Sequence, residues 1–426
     1  MPDGSIEPAN GPFTGLRVVE FGRFIAAPYC GQLLADGGAD VIKVESIDGD
    51  ETRRNGPIVP TEGRQYINKN RGKRSLAVDL RDPEARFAVQ RLAAAADIVV
   101  ANFRPGQSEM LGLHFEALSA NNPRLIYAEN TAYGRLGPMA EAAGMDIVLS
   151  GYAGLMNIGE EGPLPPAEPI IDYTAGLLLA WGVSTALYHR ERSGRGQRLD
   201  VALLQAALVL QNNNINHIDA IDGWREEFVA YLKTAFADGR TWGEVVARRQ
   251  QLQPTAPQRA YYGYLRTADG VMAVAAVARP LRLRMMELVG FEDRWTSEPG
   301  WLPDDARSYA KDLIDLVESK LKVQPTEHWL AKFAEAGIPA GPLRFREQLA
   351  DDEQSWANGF LIRQEHDLIG GLTVVAPPVK FSETPLRARW ASPTLGKHSR
   401  EILAEAGLSA ETVESLVKRG AVVANP

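Results

Sequence analysis

The sequence predicts an α/β protein, with a large domain built on a parallel sheet and a smaller α+β domain. Three observations carry this expectation. Apolar runs short enough for buried strands alternate with helical segments between Leu16 and Glu129, the pattern of a parallel sheet covered on both faces. The chain has 426 residues, 45% of them apolar, more than one ordinary core accommodates. Further along, Ala260 to Leu265 and Val271 to Val277 flank TADG, a hairpin signal, and helical segments follow.

Taken in order, Leu16 to Phe21 (LRVVEF) reads as a buried strand, Pro28 to Asp36 as a helix and Asp40 to Val44 as a second strand. After a charged loop come a strand at Ser75 to Leu80, a helix at Pro83 to Ala95 capped by Asp82, and a strand at Ile98 to Ala101. A helix near Phe115 to Ala120 leads to the strand Leu125 to Glu129. The arrangement is Rossmann-like, and ligands of such sheets sit at the carboxyl ends of the strands, here Gly22 to Pro28, Ser46 onward, Arg81, Asn102 to Gly106 and Asn130 to Gly134. SGRGQRLDV reads as a glycine break before an apolar helix over Val201 to Leu210, and the polar QNNNINHIDAIDG as the exit from the first domain. Helices are expected near Leu281 to Val289, Asp305 to Leu321 and Thr326 to Ala336, then a strand-and-loop stretch and two short helices near Arg400 to Ala406 and Ala410 to Lys418.

A net charge of −8 argues against nucleic acid or an anionic membrane as the main partner. A single cysteine, Cys30, fits a reducing cytoplasm, and the polar start MPDGSIEPANGPFTG lacks a signal-peptide pattern. The longest apolar segment is Pro169 to Leu187, short for a membrane span and followed by HRERSGRGQR, so it reads as a core helix.

That helix holds one formal charge, Asp172. The residues after it are apolar or small on every side, as in a helix buried all round. Asp172 suits an N-cap, accepting hydrogen bonds from free N–H groups. It equally suits a nucleophile at the mouth of a dry helix, with an oxyanion site beside it.

The six histidines are scattered without zinc-ligand spacing, and no G-x-G-x-x-G, G-x-S-x-G or P-loop is present. Neither a metal nor a nicotinamide or flavin cofactor is therefore expected. Arg71, Lys73 and Arg74 read as solvated surface charges. Arg81 and Arg104 each follow a predicted parallel strand directly, where a phosphate-bearing ligand lies.

The runs GLRVVEFGRFIAAPYCGQLLADGGADVIKVE, GKRSLAVDL, ADIVVANFRPG, NPRLIYA, IIDYTAGLLLAWGVSTALYHRERSGRGQRLDV, YLRTADG, AGIPAGP and LGKHSREIL occur in this order over nearly the whole chain. Together they resemble the class III CoA-transferase family, the CaiB/BaiF group that includes formyl-CoA transferase and related acyl-CoA racemases. The resemblance implies a large Rossmann-like CoA-binding domain beginning with residues 1–210, a small domain over 225–335, and a return to the large domain over 336–426. It also implies a homodimer of interlocked subunits, with coenzyme A as a substrate moiety and no prosthetic group. Position by position, Asp172 matches the catalytic aspartate, and Ile25, Ala26, Val78 to Arg81, Asn102, Phe103 and Arg104 match CoA contacts. Met145, in Gly144-Met145-Asp146-Ile147-Val148, stands where racemases of the family carry a histidine, and it is counted among the CoA contacts.

Several positions depart from the family pattern. Ser46, Met110 and Ala142 stand where basic CoA contacts are found, and no glycine-rich flap is evident near Gln253 to Gln258. A thioether exchanges no proton, so Met145 argues against racemisation, and Arg279 falls where racemases place a helper glutamate. The expected activity is CoA transfer from an acyl-CoA to a free carboxylic acid, through an anhydride and then a thioester on Asp172. Backbone N–H groups near Tyr173 and Thr174, or at Gly151 to Gly154, are the expected oxyanion donors, and Tyr152 to Asn157 the acyl wall. An acyl-CoA racemase is the alternative, and a non-catalytic CoA-binding protein stands behind both.

Overall fold

The computed structural model describes residues 11–159, 162–253 and 257–425. The polar start over 1–10, and 254–256 in the stretch compared with a flap, lie outside the described residues. The chain forms two compact units, one of residues 1–217 with 353–426 and the other of residues 218–352.

The first unit is built on seven strands. They are β1 (Arg17–Phe21), β2 (Asp40–Glu45), β3 (Arg74–Val78), β4 (Ile98–Ala101), β5 (Ile126–Thr131), β6 (Arg198–Ala202) and β7 (Val422–Val423). Their spatial order is β6-β5-β4-β1-β2-β3-β7, parallel except for β7, which pairs antiparallel with β3. Register places Val18 beside both Val41 and Ile98. The order reverses between β1 and β4, the switch point at which open α/β sheets form a ligand crevice.

Both faces of the sheet are covered. On one side α1 (Ala26–Asp36) and α4 (Ile170–Ser193) enclose Val18, Val41, Ile98, Ala128, Leu179 and Val183. On the other, α2 (Pro83–Ala94) packs over Val19, Ile42, Leu76, Val99 and Tyr127. Asp82 accepts hydrogen bonds from the N–H groups of Glu84 and Ala85, so it caps α2 as the sequence predicts. The short helix α3 (Asp146–Tyr152) precedes α4, and α5 (Leu203–Leu210) follows β6.

Three sequence expectations change. Arg198–Ala202 is a strand where a glycine break and the first residues of a helix are expected: its backbone pairs with Tyr127 to Thr131 at the sheet edge, and the helix begins at Leu203. A half-solvated edge strand carries charge at alternate positions, here Arg198 and Asp200, and lacks the continuous apolar run of a central parallel strand. Helix α4 is buried on one face only. Ile171, Ala175, Leu179, Val183 and Ala186 face the core, while Leu177, Trp181 and Tyr188 form an exposed stripe, Trp181 being 69% accessible. By length and composition its 24 residues could cross a membrane, but one face packs on α1 and the sheet, and its buried Arg190 pairs with Asp97 at 3.1 Å. Finally, the basic residues around β3 are buried in ion pairs rather than solvated: Arg71 with Asp36 at 2.6 Å and Lys73 with Glu20 at 2.6 Å. Arg74, partly buried, pairs with Asp40 at 2.7 Å.

Among its described residues, the second unit has three strands. Tyr262–Arg266 and Val271–Ala275 form the antiparallel hairpin that TADG signals, and Ala340–Pro342 pairs with the second of them. Helices Arg279–Val289, Ala306–Leu321 and Thr326–Glu335 enclose a core that includes Leu265, Met272, Val317, Trp329 and Phe333. The hydrogen-bonded pairing of Ala340 with Val274 sets the AGIPAGP stretch in this unit, so the unit extends beyond residue 335. Arg279 donates to the carbonyls of Thr296 and Ser297, closing the short helix Arg294–Ser297.

Candidate active site

The carboxyl ends of β1, β4 and β5 open onto a cavity of ≈ 780 Å³ within the first unit. Its walls come from the loop after β1 (Arg23, Phe24), the loop after β4 (Asn102 to Gly106), the end of β5 with the following loop (Glu129 to Arg135) and the approach to α3 (Ala140 to Met145). Ser108, Glu109, Val148, Asp172 and Leu203 complete it. The site therefore stands at the topological switch point that the strand order defines.

The crevice floor is pinned from both sides. Arg23 N–H donates to Asn102 Oδ1 at 2.9 Å, and Asn102 Nδ2 donates to Arg23 O at 2.8 Å. Phe24 sits at φ 62, a left-handed conformation unfavourable for a bulky residue, and its N–H points to Asp50 Oδ1 at 3.5 Å. Beneath this loop lies a fully buried ion network. Lys43 Nζ donates to Glu20 at 3.1 Å and to Gly22 O at 2.7 Å, and stands 3.1 Å from Asp50. These charges are paired and hydrogen-bonded, the condition under which buried ions are tolerated. The strained turn is thus fixed by groups from β1, β2 and β4.

Asp172 lies in the first turn of α4, half-buried, and it is not the helix cap. The capping role belongs to Asp146, whose Oδ2 accepts the hydrogen bond from Asp172 N–H at 3.0 Å. This leaves the Asp172 carboxylate unspent on its own helix. Burial, followed by the nearby Asp146 charge, pushes its pKa up to about 7, against the opposing pull of Lys69. Lys69 is itself buried, donates to Gln65 O at 3.3 Å, and has its ammonium 5.5 Å from the Tyr173 ring.

Helix α4 can begin so near the loop after β1 because Gly176 lacks a side chain. A Cβ there would stand 2.8 Å from Ala26 O. Gly144 serves the approach to α3 similarly, since a Cβ would meet Ala132 and Leu149 at 2.6 Å. Small residues at these two crossings bring Asp172 and Met145 into one cavity.

The expected oxyanion donors are largely committed elsewhere. Tyr173 N–H bonds to Pro169 O at 3.2 Å, and Ala153, Gly154 and Leu155 N–H close the end of α3 on Leu149, Gly151 and Ser150. Among the described residues, the N–H groups of Ala143, Gly144 and Met145 at the cavity wall have no such partner.

Of the other predicted residues, Asn102, Phe103, Arg104 and Met145 line the cavity. Arg104 is exposed and makes no ion pair among the described residues; burial, followed by the Arg104 charge, lowers the pKa of Arg23, which donates to Glu51 at 2.9 Å. The side chains of Ile25 and Ala26 are buried at the start of α1, and Arg23 and Phe24 face the cavity from that loop instead. Val78 is buried, and its strand pairs with β7. Arg81 is exposed and salt-bridged to Asp79 at 2.8 Å, and neither lines the cavity. Sequence reasoning missed Arg23, Lys69, Asn130, Arg135 and Asp146 as site residues. Arg23 and Asn130 fall within the strand ends already marked, whereas Lys69 reaches the site only through tertiary folding. Arg135 pairs with Glu129 at 2.7 Å and Asp200 at 3.3 Å, and Glu129 also pairs with Arg198.

A family model described as CoA-transferase family III matches residues 13–399. The chain is 33% identical to a succinate-glutarate CoA-transferase of Agrobacterium fabrum, over 95% of this chain and 96% of that protein. It is 30% identical to the succinyl-CoA–L-malate CoA-transferase beta subunit of Chloroflexus aurantiacus, over 95% and 96% respectively. Among solved structures, a CaiB/BaiF family protein from Brucella suis superposes with a TM-score of 0.72 at 32% identity, covering 93% of this chain and 100% of that one.

Proposed function

This chain belongs to CoA-transferase family III and is an enzyme of that class, and from that premise we propose that Asp172 carries CoA from an acyl-CoA donor to a free carboxylic acid. The observation that carries the proposal is a carboxylate free of capping duty, half-buried in a cavity at the sheet's switch point. Asp172 attacks the donor thioester carbonyl, forming an aspartyl-acyl anhydride and expelling CoA thiolate. The thiolate attacks the aspartyl carbonyl, which forms an aspartyl-CoA thioester and releases the first acid. The second acid's carboxylate then attacks that thioester, giving a new anhydride and thiolate again. Attack of the thiolate on the acyl carbonyl of this anhydride yields the new acyl-CoA and restores Asp172. Each intermediate keeps its acyl group activated, so the cavity must exclude water.

The guanidinium of Arg104, without an ion pair among the described residues, supplies positive charge for the phosphates of CoA; Arg23, which also lines the cavity, is already paired with Glu51. The N–H groups of Ala143 to Met145, which have no backbone partner among the described residues, are the oxyanion donors of this reading; losing one such donor typically costs about 3 kcal/mol. The acids named for the two relatives, glutarate and malate, are dicarboxylic, and we take that class as the first to test. The homodimer implied by the resemblance is supported by the exposed apolar stripe of α4.

The test is mass spectrometry of the CoA esters formed when the enzyme meets succinyl-CoA and acetyl-CoA with a panel of mono- and dicarboxylic acids. New esters are expected with the native enzyme and none with Asp172→Ala; retained transfer in the variant overturns the assignment. A raised pKa at Asp172 also suits a base, so α-proton exchange is a second reading. Solvent deuterium entering the α-carbon with no acid acceptor present favours that reading.

A further inference from the structure

We propose that Asn130 is a specificity residue that hydrogen-bonds a hydroxyl group on the carboxylic acid substrate, so that this enzyme prefers hydroxylated acids to their unsubstituted parents. The inference rests on the transferase reading of the same cavity.

Asn130 stands at the carboxyl end of β5 and is 5% exposed, yet its Oδ1 has no hydrogen-bond partner among the described residues. Buried polar groups in folded proteins are nearly always paired, and each exception calls for a cause. The residue lines the cavity that holds Asp172. Side chains alternate along a strand, and Ala128, two residues earlier, packs with Leu179 and Val183 of α4, whereas Tyr127 packs on the opposite face. Asn130 therefore projects on the α4 side of the sheet, the side from which Asp172 enters. Ala132, Val148 and Leu203 supply apolar lining of the same cavity, beside the polar Glu129, Thr131 and Arg135 of the same strand end and loop. The arginine suited to CoA phosphates, Arg104, stands instead beyond the end of β4.

A buried carboxamide whose oxygen has no partner discriminates among ligands by what it leaves unpaired. An alkyl chain leaves it unsatisfied, and a carboxylate offers acceptors only, which serves Nδ2 and not Oδ1. A hydroxyl is both donor and acceptor, so it satisfies the carboxamide whichever way it is turned. Sites built to hydrogen-bond a substrate hydroxyl reject the analogue lacking it far more strongly than apolar pockets reject an added methylene. The pantetheine arm of CoA also carries amides and a hydroxyl, so the test must separate the two sources.

The experiment measures kcat/KM for matched acids, malate against succinate and 3-hydroxybutyrate against butyrate, with the best acyl-CoA donor for the native enzyme. CoA binding is measured by calorimetry on the same preparations. The native enzyme is expected to prefer the hydroxylated acid in at least one pair. Asn130→Leu is expected to reduce that preference about tenfold or more, chiefly through the hydroxylated acid, with CoA affinity unchanged. Asn130→Ser, which keeps a hydroxyl, is expected to recover part of it and guards against a misfolded leucine variant. Preference for the unsubstituted parent in both pairs overturns the proposal. So does an equal loss for both members of a pair, or a loss of CoA affinity that places the contact on the pantetheine arm. Absence of transfer to any acid by the native enzyme would instead overturn the transferase reading.

Discussion

Asp172 combines two properties that pull against each other. A nucleophile must be ionised, but burial and the Asp146 charge hold its pKa up to about 7, far above the ordinary 3.8. The profile of kcat/KM is therefore expected to fall on the acid side with an inflection near pH 7; a profile flat down to pH 5 would contradict this. Stability follows by linkage. Between about pH 4 and 7 the folded state binds a proton that the unfolded chain has released, so this group costs stability as pH rises through that window. Asp172→Asn removes the cost. The variant is expected to melt higher than the native protein at pH 8, by at most about 4 kcal/mol of stability, and nearly to match it at pH 4. Equal gains at both pH values would show that the carboxylate is not strained by its surroundings. The aspartate itself was legible in the sequence as the one charge in an apolar helix. Its release from capping was not, because that depends on Asp146, 26 residues earlier, reaching its N–H.

Among the elements, the crossing of α1 and α4 does most to place the site. Gly176→Val puts branched carbons against Ala26 O, at a point where even a Cβ has only 2.8 Å. Overpacking of this kind typically costs about 1–3 kcal/mol. It also pushes the start of α4 away from the loop after β1, so kcat is expected to fall more than the stability loss alone explains. Unchanged kcat with a lowered melting temperature would separate the crossing from catalysis. The strands β1 to β5 were readable because central parallel strands are short apolar runs between helices. Edge strand β6 was not, since Arg198 and Asp200 interrupt its apolar pattern, and only its pairing with β5 reveals it. Lys43 and Glu20 lie inside strands read from apolar pattern alone; their mutual pairing across β1 and β2 makes those charges compatible with burial.

In the whole molecule, the exposed face of α4 is the largest departure from what its sequence suggests. An all-round apolar helix predicts complete burial, yet Leu177, Trp181 and Tyr188 meet solvent in the single chain. We propose that a second copy covers this stripe, which would reconcile the two. Trp181→Glu is expected to shift the native assembly toward monomer in sedimentation velocity, and a native protein that sediments as a monomer would contradict the dimer. Family and overall fold were legible because the matching runs occur in order along the chain. Among the described residues, the Arg104 guanidinium without an ion pair and the unpartnered Asn130 Oδ1 were not distinguishable from paired groups until their neighbours were known. The central claim is that Asp172 is covalently loaded during turnover. The direct measurement is mass spectrometry of the peptide containing Asp172 after the enzyme is incubated with its acyl-CoA donor and quenched in acid. A CoA thioester on Asp172, absent from Asp172→Ala, is the predicted result; an unmodified Asp172 during active transfer, or CoA attached to another side chain, would contradict it.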